Sequence, residues 1–243
     1  MSNEHLGLSL VLPAYNEAGR LPPYLAAVRA YLDANRPGQY EVIVVDDGST
    51  DGLDHVLRAA ATDWPQLRSI RHPKNAGKGA AVRTGVLASR GQHVLFADAD
   101  GATPIDQEHR LREAIGGGAD VAIGSRLVAA DGLSRSRNWL RAWIGRTFAR
   151  VARGLLRLPV RDTQCGFKMF RGDAARALFA EVQERGYLFD LEVLALAKRR
   201  GLGIVEVPVS WREVPGGHFR LVQALPQILV GLWRLRRLKT PER

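Results

Sequence analysis

His93-Val-Leu-Phe-Ala-Asp98-Ala-Asp100-Gly-Ala-Thr103 is the stretch from which the chain is best read. Its apolar run, Val94-Leu95-Phe96, has the character of a strand buried on both faces, as in a parallel sheet. The run delivers two carboxylates, Asp98 and Asp100, where the chain leaves the sheet. Residues i and i+2 of an extended segment project to one side. Two carboxylates held that close repel unless a cation lies between them. Hard oxygen ligands suit Mg2+ or Mn2+, and Mg2+ is commonly held by one or two carboxylates plus substrate phosphates. Gly101 allows close backbone approach. An acidic turn after a strand is the plain alternative, and the rest of the chain decides between them.

Working toward the N-terminus, strands are expected at 8–12, 40–45 and 67–71, with helices at 21–34, 53–62 and from the glycines at 77 and 79 to about 89. Asp46-Asp47-Gly48-Ser49-Thr50-Asp51 makes a turn and helix cap after the second strand. Asn75-Ala-Gly-Lys-Gly79 is no Walker A loop, since the second glycine is missing at the required spacing. It is either a simple turn or a backbone nest with one lysine near a diphosphate. Strand and helix alternate as in a parallel α/β sheet, where ligands bind beyond the carboxyl ends of the strands. Tyr15, Asp46, Lys78 and Asp98 all fall just past such ends.

Toward the C-terminus, 119–123 is a strand ending in Gly124-Ser125-Arg126. Residues 161–168, Arg-Asp-Thr-Gln-Cys-Gly-Phe-Lys, are polar and glycine-containing, and a loop is expected there. A helix follows from Phe189-Asp-Leu-Glu192 to about residue 200, then a strand at 204–209 and a loop at 211–220. Two amphipathic basic helices are expected. In 142–158, Arg146, Arg150, Arg153 and Arg157 recur on one face and Ile144, Phe148, Val151 and Leu155 on another. In 224–238, Leu225, Ile228, Leu232 and Leu235 share a face.

The chain has 243 residues, enough for one large domain, with 46% hydrophobic and 25% charged residues, as in an ordinary globular protein. A single cysteine, Cys165, excludes an internal disulfide and points to a reducing compartment. No apolar run reaches the length of a membrane span, and no signal peptide is visible. The net charge of +10 is uneven: residues 126–161 hold nine arginines and one acid, residues 219–243 six bases and one acid, and the rest a net −3. Such concentration favours a defined anionic surface as partner. A nucleic-acid or lipid-surface binder without catalysis would leave the paired carboxylates unexplained.

Leu10-Val-Leu-Pro-Ala-Tyr-Asn-Glu17, Val44-Val-Asp-Asp-Gly-Ser49, Lys78-Gly79, Asp98-Ala-Asp100 and Gly124-Ser-Arg126 resemble family 2 glycosyltransferases of the GT-A fold. Asp98-Ala-Asp-Gly-Ala-Thr103, the 161–168 block and Phe189-Asp-Leu-Glu192 resemble the dolichyl-phosphate β-glucosyltransferases, cousins of the dolichyl-phosphate mannosyltransferases. The likeness spans about residues 8–220. It implies a Rossmann-like, mostly parallel sheet flanked by helices as the catalytic domain at 1–220, with a basic amphipathic segment at 221–243.

The same likeness implies inverting transfer of a sugar, glucose first, from a UDP-sugar to a polyprenyl phosphate. Transfer from UDP-GlcNAc, UDP-galactose or GDP-mannose, or onto a glycan hydroxyl, are the alternatives. Pro13, Tyr15, Glu17, Asp46, Asp47, Lys78 and Ala99 would hold the nucleotide sugar. Asp98 and Asp100 would hold Mg2+ or Mn2+ and the diphosphate. Arg126 would lie over the phosphates or the sugar, and Asp190 would serve the site by orienting an arginine or a sugar hydroxyl. Arg161, Lys168, His218 and Arg220 would take the acceptor phosphate.

There are two departures from the family pattern. Ala102 stands where the mannosyltransferases often place a glutamine ligand, and His218 where the glucosyltransferases carry a lysine. Eukaryotic relatives carry an N-terminal anchor helix, whereas this chain starts almost at its first strand. Attachment to an anionic membrane surface, peripheral and on its cytoplasmic face, is therefore expected through the two basic segments. No nucleic-acid partner is expected.

Overall fold

The structure is a computed structural model, and it describes residues 6–128, 135, 136, 154 and 156–214. The chain alternates β1 (Leu8–Ala14), α1 (Leu21–Asn35), β2 (Tyr40–Asp46), α2 (Leu53–Ala61), β3 (Leu67–Arg71), α3 (Lys78–Ala88) and β4 (His93–Ala97). A 3-10 turn (Ile105–Gln107), α4 (Glu108–Gly116) and β5 (Val121–Ser125) follow, then the two-residue β6 (Arg135–Ser136). The described chain continues with β7 (Phe167–Arg171), α5 (Gly172–Glu181), α6 (Phe189–Arg199), β8 (Ile204–Pro208) and β9 (Trp211–Arg212).

Seven strands form one sheet in the order β3-β2-β1-β4-β7-β5-β8, and β6 pairs with β9 apart from it. Neighbours are parallel except β7, which runs antiparallel to both β4 and β5. This is the expected α/β architecture, with α4, α5 and the β6–β9 pairing added and expected loops corrected at 167–168 and 211–212. Residues 167 and 168, expected in a loop, open a strand in the middle of the sheet. Phe167, Met169 and Phe170 are fully buried there, and so is Lys168.

Both faces of the sheet are covered, which is why its strands read as continuous apolar runs. Leu10 and Leu12, Val42 and Val44, and Leu95 face one core shared with α1 and α4. Val11, Ile43, Val45, Val94 and Phe96 face the other, shared with α3, α5 and α6. The small residues of α3 let it lie close to the sheet, where a side chain at Gly85 would overlap Val11. Beneath β7 a chain of rings fills the second core. Phe96 and Phe170 stack at 6.4 Å, Phe96 meets Phe189 at 5.5 Å, and Phe170 meets Phe179 edge-on at 5.8 Å. Every residue of α6 from Phe189 to Ala197 is buried, so its two acids, Asp190 and Glu192, need internal partners.

The expected basic helices at 142–158 and 224–238 lie outside the described residues, apart from 154 and 156–158. His218 and Arg220 lie outside them as well.

Candidate active site

The carboxyl ends of β1, β2 and β4 open on one cavity of about 320 Å3, within the size range of small-molecule sites. Its lining includes Pro13, Tyr15 and Glu17 from the end of β1, Asp47 after β2, and Lys78 at the start of α3. Asp98, Ala99 and Asp100 supply the side beyond β4.

Local sequence explains how these loops are held. Asn16 takes a left-handed backbone, which asparagine tolerates. Its N–H donates to Ser49 Oγ at 2.9 Å, and its Oδ1 accepts from Thr50 N at 2.9 Å, tying the β1 and β2 loops together. Asp47 pins the following loop: Oδ1 accepts from Ala76 N at 2.9 Å and Oδ2 from Gly77 N at 2.8 Å. His72 Nδ1 lies 2.7 Å from the same Oδ1. Gly77 has φ +101 and packs under Arg185, so a side chain there would be strained and crowded alike. Glu192 fixes the far wall, accepting from Gln183 N at 3.0 Å and Glu184 N at 2.7 Å.

Asp98 and Asp100 both line the cavity. The backbone N–H of Asp98 donates to Gly166 O at 2.9 Å. Lys78 Nζ is 2.5 Å from Asp98 Oδ1. Asp100 Oδ1 accepts from Ala102 N at 3.0 Å. Burial first, and then the neighbouring Asp98 charge, push the Asp100 carboxyl above the ordinary carboxylate range. Two hard carboxylates, one of them short of positive charge, form a donor set that fits Mg2+ or Mn2+. Among the described residues no group of three or more His, Cys, Asp or Glu could hold a metal. Ala102 adds no side-chain oxygen to this pair.

Four expected residues occupy other places. Asp46 is buried behind the cavity, accepting from Ser49 N at 2.8 Å and lying 3.0 Å from Arg71 Nη1. Arg126 is clamped by Asp162: its backbone N donates at 2.9 Å, Nε at 2.8 Å and Nη2 at 2.8 Å. Its guanidinium lies 5.5 Å from the Trp211 ring centroid. The expected role of Lys168 is corrected. Its side chain is 0% exposed, and Nζ donates to Asp190 Oδ1 at 2.5 Å and Cys165 O at 2.6 Å, which keeps it from an acceptor phosphate. Asp190 is correspondingly buried away from the cavity, oriented by a lysine rather than orienting an arginine or a sugar. Arg161 remains exposed, its backbone N–H donating to Glu206 Oε2 at 2.9 Å.

Arg20, Asn75, Gly77, Gly186 and Tyr187 also line the cavity. The first forms an ion pair with Glu17. Gly186-Tyr187, which the sequence reading did not single out, just precedes the Phe189-Asp-Leu-Glu192 motif. Asp162 sat inside the quoted 161–168 block without an assigned partner.

The arrangement brings an ammonium and the N-terminus of α3 to face two carboxylates, with glycine-lined backbone between, which suits a diphosphate joined to a divalent cation. No histidine is among the residues lining the cavity.

Residues 9–179 match the glycosyl transferase family 2. The chain is 36% identical over 247 residues to a dolichyl-phosphate beta-glucosyltransferase of Trichomonas vaginalis, covering 94% of this chain and 73% of that one. It is 35% identical over 237 residues to the protein of that name from Saccharomyces cerevisiae, covering 90% and 71%. Among solved structures it is similar to glucosyl-3-phosphoglycerate synthase from Mycobacterium tuberculosis in complex with Mn2+, UDP-glucose and phosphoglyceric acid. The TM-score is 0.70 at 20% identity, over 97% of this chain and 81% of that one, a likeness of fold.

Proposed function

The chain belongs to glycosyl transferase family 2, alongside the dolichyl-phosphate beta-glucosyltransferases, and on that footing we propose that it transfers glucose from UDP-glucose to a polyprenyl phosphate, inverting C1. The observation that carries the site assignment is the pair Asp98 and Asp100 at the end of β4, opening with Lys78 on one cavity. Pro13, Tyr15, Glu17 and Asp47 would hold the nucleoside side of the donor. Lys78 and the N-terminus of α3 would face its diphosphate. Asp98 and Asp100 would hold Mg2+ or Mn2+. Bound there, the cation would act as a Lewis acid on charge developing in the leaving diphosphate.

The chemistry needs no strong base. A polyprenyl phosphate is anionic near neutral pH. Its oxygen forms the new bond to C1 while the C1–O bond to UDP breaks, and the electron pair leaves with UDP. This fits a cavity whose other acids are engaged: Glu17 with Arg20, Asp47 with the 76–77 backbone and Asp98 with Lys78. Arg161 is the described candidate for the acceptor phosphate, since an exposed guanidinium suits phosphate oxygens at any working pH. Among the described residues no helix is long and apolar enough to cross a membrane. Peripheral attachment through the basic segments is part of the same proposal, supported by their charge.

The test is product analysis after incubation with labelled UDP-glucose, divalent metal and polyprenyl phosphate. A polyprenyl-phosphate glucose is expected, and equal transfer to the dephosphorylated alcohol or to a sugar hydroxyl would overturn the acceptor assignment. Asp100→Ala should remove about 3 kcal/mol or more of transition-state stabilisation, a hundredfold or greater loss of kcat with the fold retained. Full activity in excess chelator would sink the metal assignment.

A further inference from the structure

At the edge of the cavity and behind it stand two lysine–aspartate pairs. Lys78 Nζ stands 2.5 Å from Asp98 Oδ1 and 6.0 Å from the Phe189 ring centroid. Burial disfavours its ammonium, but Asp98 and then Asp190 more than offset this and raise its pKa above the ordinary lysine value. Asp190 accepts from the fully buried Lys168 at 2.5 Å, and Lys168 also donates to Cys165 O at 2.6 Å. Gly166, next in the chain, accepts the backbone N–H of Asp98 at 2.9 Å. Lys78 thus pairs with Asp98 at the cavity edge and Lys168 with Asp190 in the core, and the backbone of 165–166 joins the two pairs.

The two pairs differ in freedom. Lys168 is wholly inside, whereas the side chains of Asp98 and Lys78 keep 37% and 20% exposure. A long flexible ammonium is the member that can move. It sits on the same Asp98 oxygen set that a divalent cation would use, and two like charges cannot share that carboxylate at contact without repulsion. Lys78 also lines the cavity, so an ammonium displaced from Asp98 still faces the anionic donor.

We propose that Lys78 is the resident counter-cation of Asp98, giving the carboxylate up to an incoming divalent cation. The inference rests on Asp98 and Asp100 being cation ligands, and it adds a reason for the lysine.

The test is titration with Mn2+ in the absence of nucleotide, following free Mn2+ by electron paramagnetic resonance. Lys78→Met keeps the apolar stem over Phe189 and removes the competing charge. It should bind Mn2+ at least ten times more tightly than the parent, and unchanged or weaker binding would overturn the proposal. Asp100→Ala separates the two levels. Parent-like Mn2+ binding by Asp100→Ala overturns the ligand assignment itself. Lost binding there, with no gain in Lys78→Met, overturns the exchange alone.

Discussion

At Gly166 a hydrogen atom is all the space allows on the side facing Asp98, because a methyl group there would overlap the Asp98 carboxylate. The same residue's carbonyl accepts the Asp98 N–H, so one glycine fixes both the backbone and the side chain of the residue that meets Lys78. Gly166→Ala should therefore displace the carboxylate rather than break the fold. Overpacking of this kind costs about 1–3 kcal/mol, a fall of a few degrees in melting temperature, while transfer should drop at least tenfold. Parent-like turnover of UDP-glucose in a folded Gly166→Ala protein would show that Asp98 needs no such backing. Asp98 and Asp100 were legible in the sequence because spacing of two at a strand end is local information. Gly166 was visible only as part of a polar block, since its neighbour lies 68 residues away in the chain and is reached through the sheet. Lys168 was misread for a related reason: its charge suggested a ligand, and its partner Asp190 lies 22 residues on.

Sequence reading missed α4, α5 and the short β6 and β9, and above all β7. The polar residues 161–166 lead straight into it, and Lys168 interrupts the apolar pattern of Phe167, Met169 and Phe170. An antiparallel strand between β4 and β5 places the turn before it at the cavity end of the sheet. The 161–168 block therefore lies against Asp98. The parallel strands and α3 were legible because apolar runs and glycine turns are local. Within the block, Asp162 clamps Arg126 at the end of β5 by three contacts of 2.8–2.9 Å. Burial alone would raise the Asp162 carboxyl, but the Arg126 guanidinium outweighs it and holds the group below the ordinary range. A depressed folded value means that the stabilisation is complete above the unfolded value of about 4 and is lost as pH falls through the folded value. Asp162→Asn should cost about 3 kcal/mol at pH 7, as expected when one partner of a buried pair is removed. Denaturant titrations should show that deficit shrinking as pH falls below about 4. A deficit constant from neutral to strongly acid pH would mean that the carboxylate charge is not what holds Arg126.

In the sequence, the basic stretches stand apart from the residues that line the cavity. That lining includes four acids, Glu17, Asp47, Asp98 and Asp100. The strongly basic stretches, nine arginines against one acid in 126–161 and six bases against one acid in 219–243, lie mostly outside the described residues. An acceptor with a long apolar tail and a phosphate head resides at a membrane surface, so the enzyme proposed here must meet it there. Each Lys or Arg close to an anionic surface contributes about 1 kcal/mol, and the attraction fades beyond the Debye length. Reversing Arg146, Arg150 and Arg153 to glutamate should then cost at least about 3 kcal/mol of surface binding, more than a hundredfold in partition. In sedimentation with vesicles rich in anionic lipid, the parent should pellet at low salt and be released as salt rises, while the triple variant stays in the supernatant. Glucose release from UDP-glucose in detergent should be unaffected, because those arginines are assigned to the surface and not to the donor cavity. Equal pelleting of parent and variant at low salt would place membrane attachment elsewhere in the chain, and the basic stretches would then need another partner.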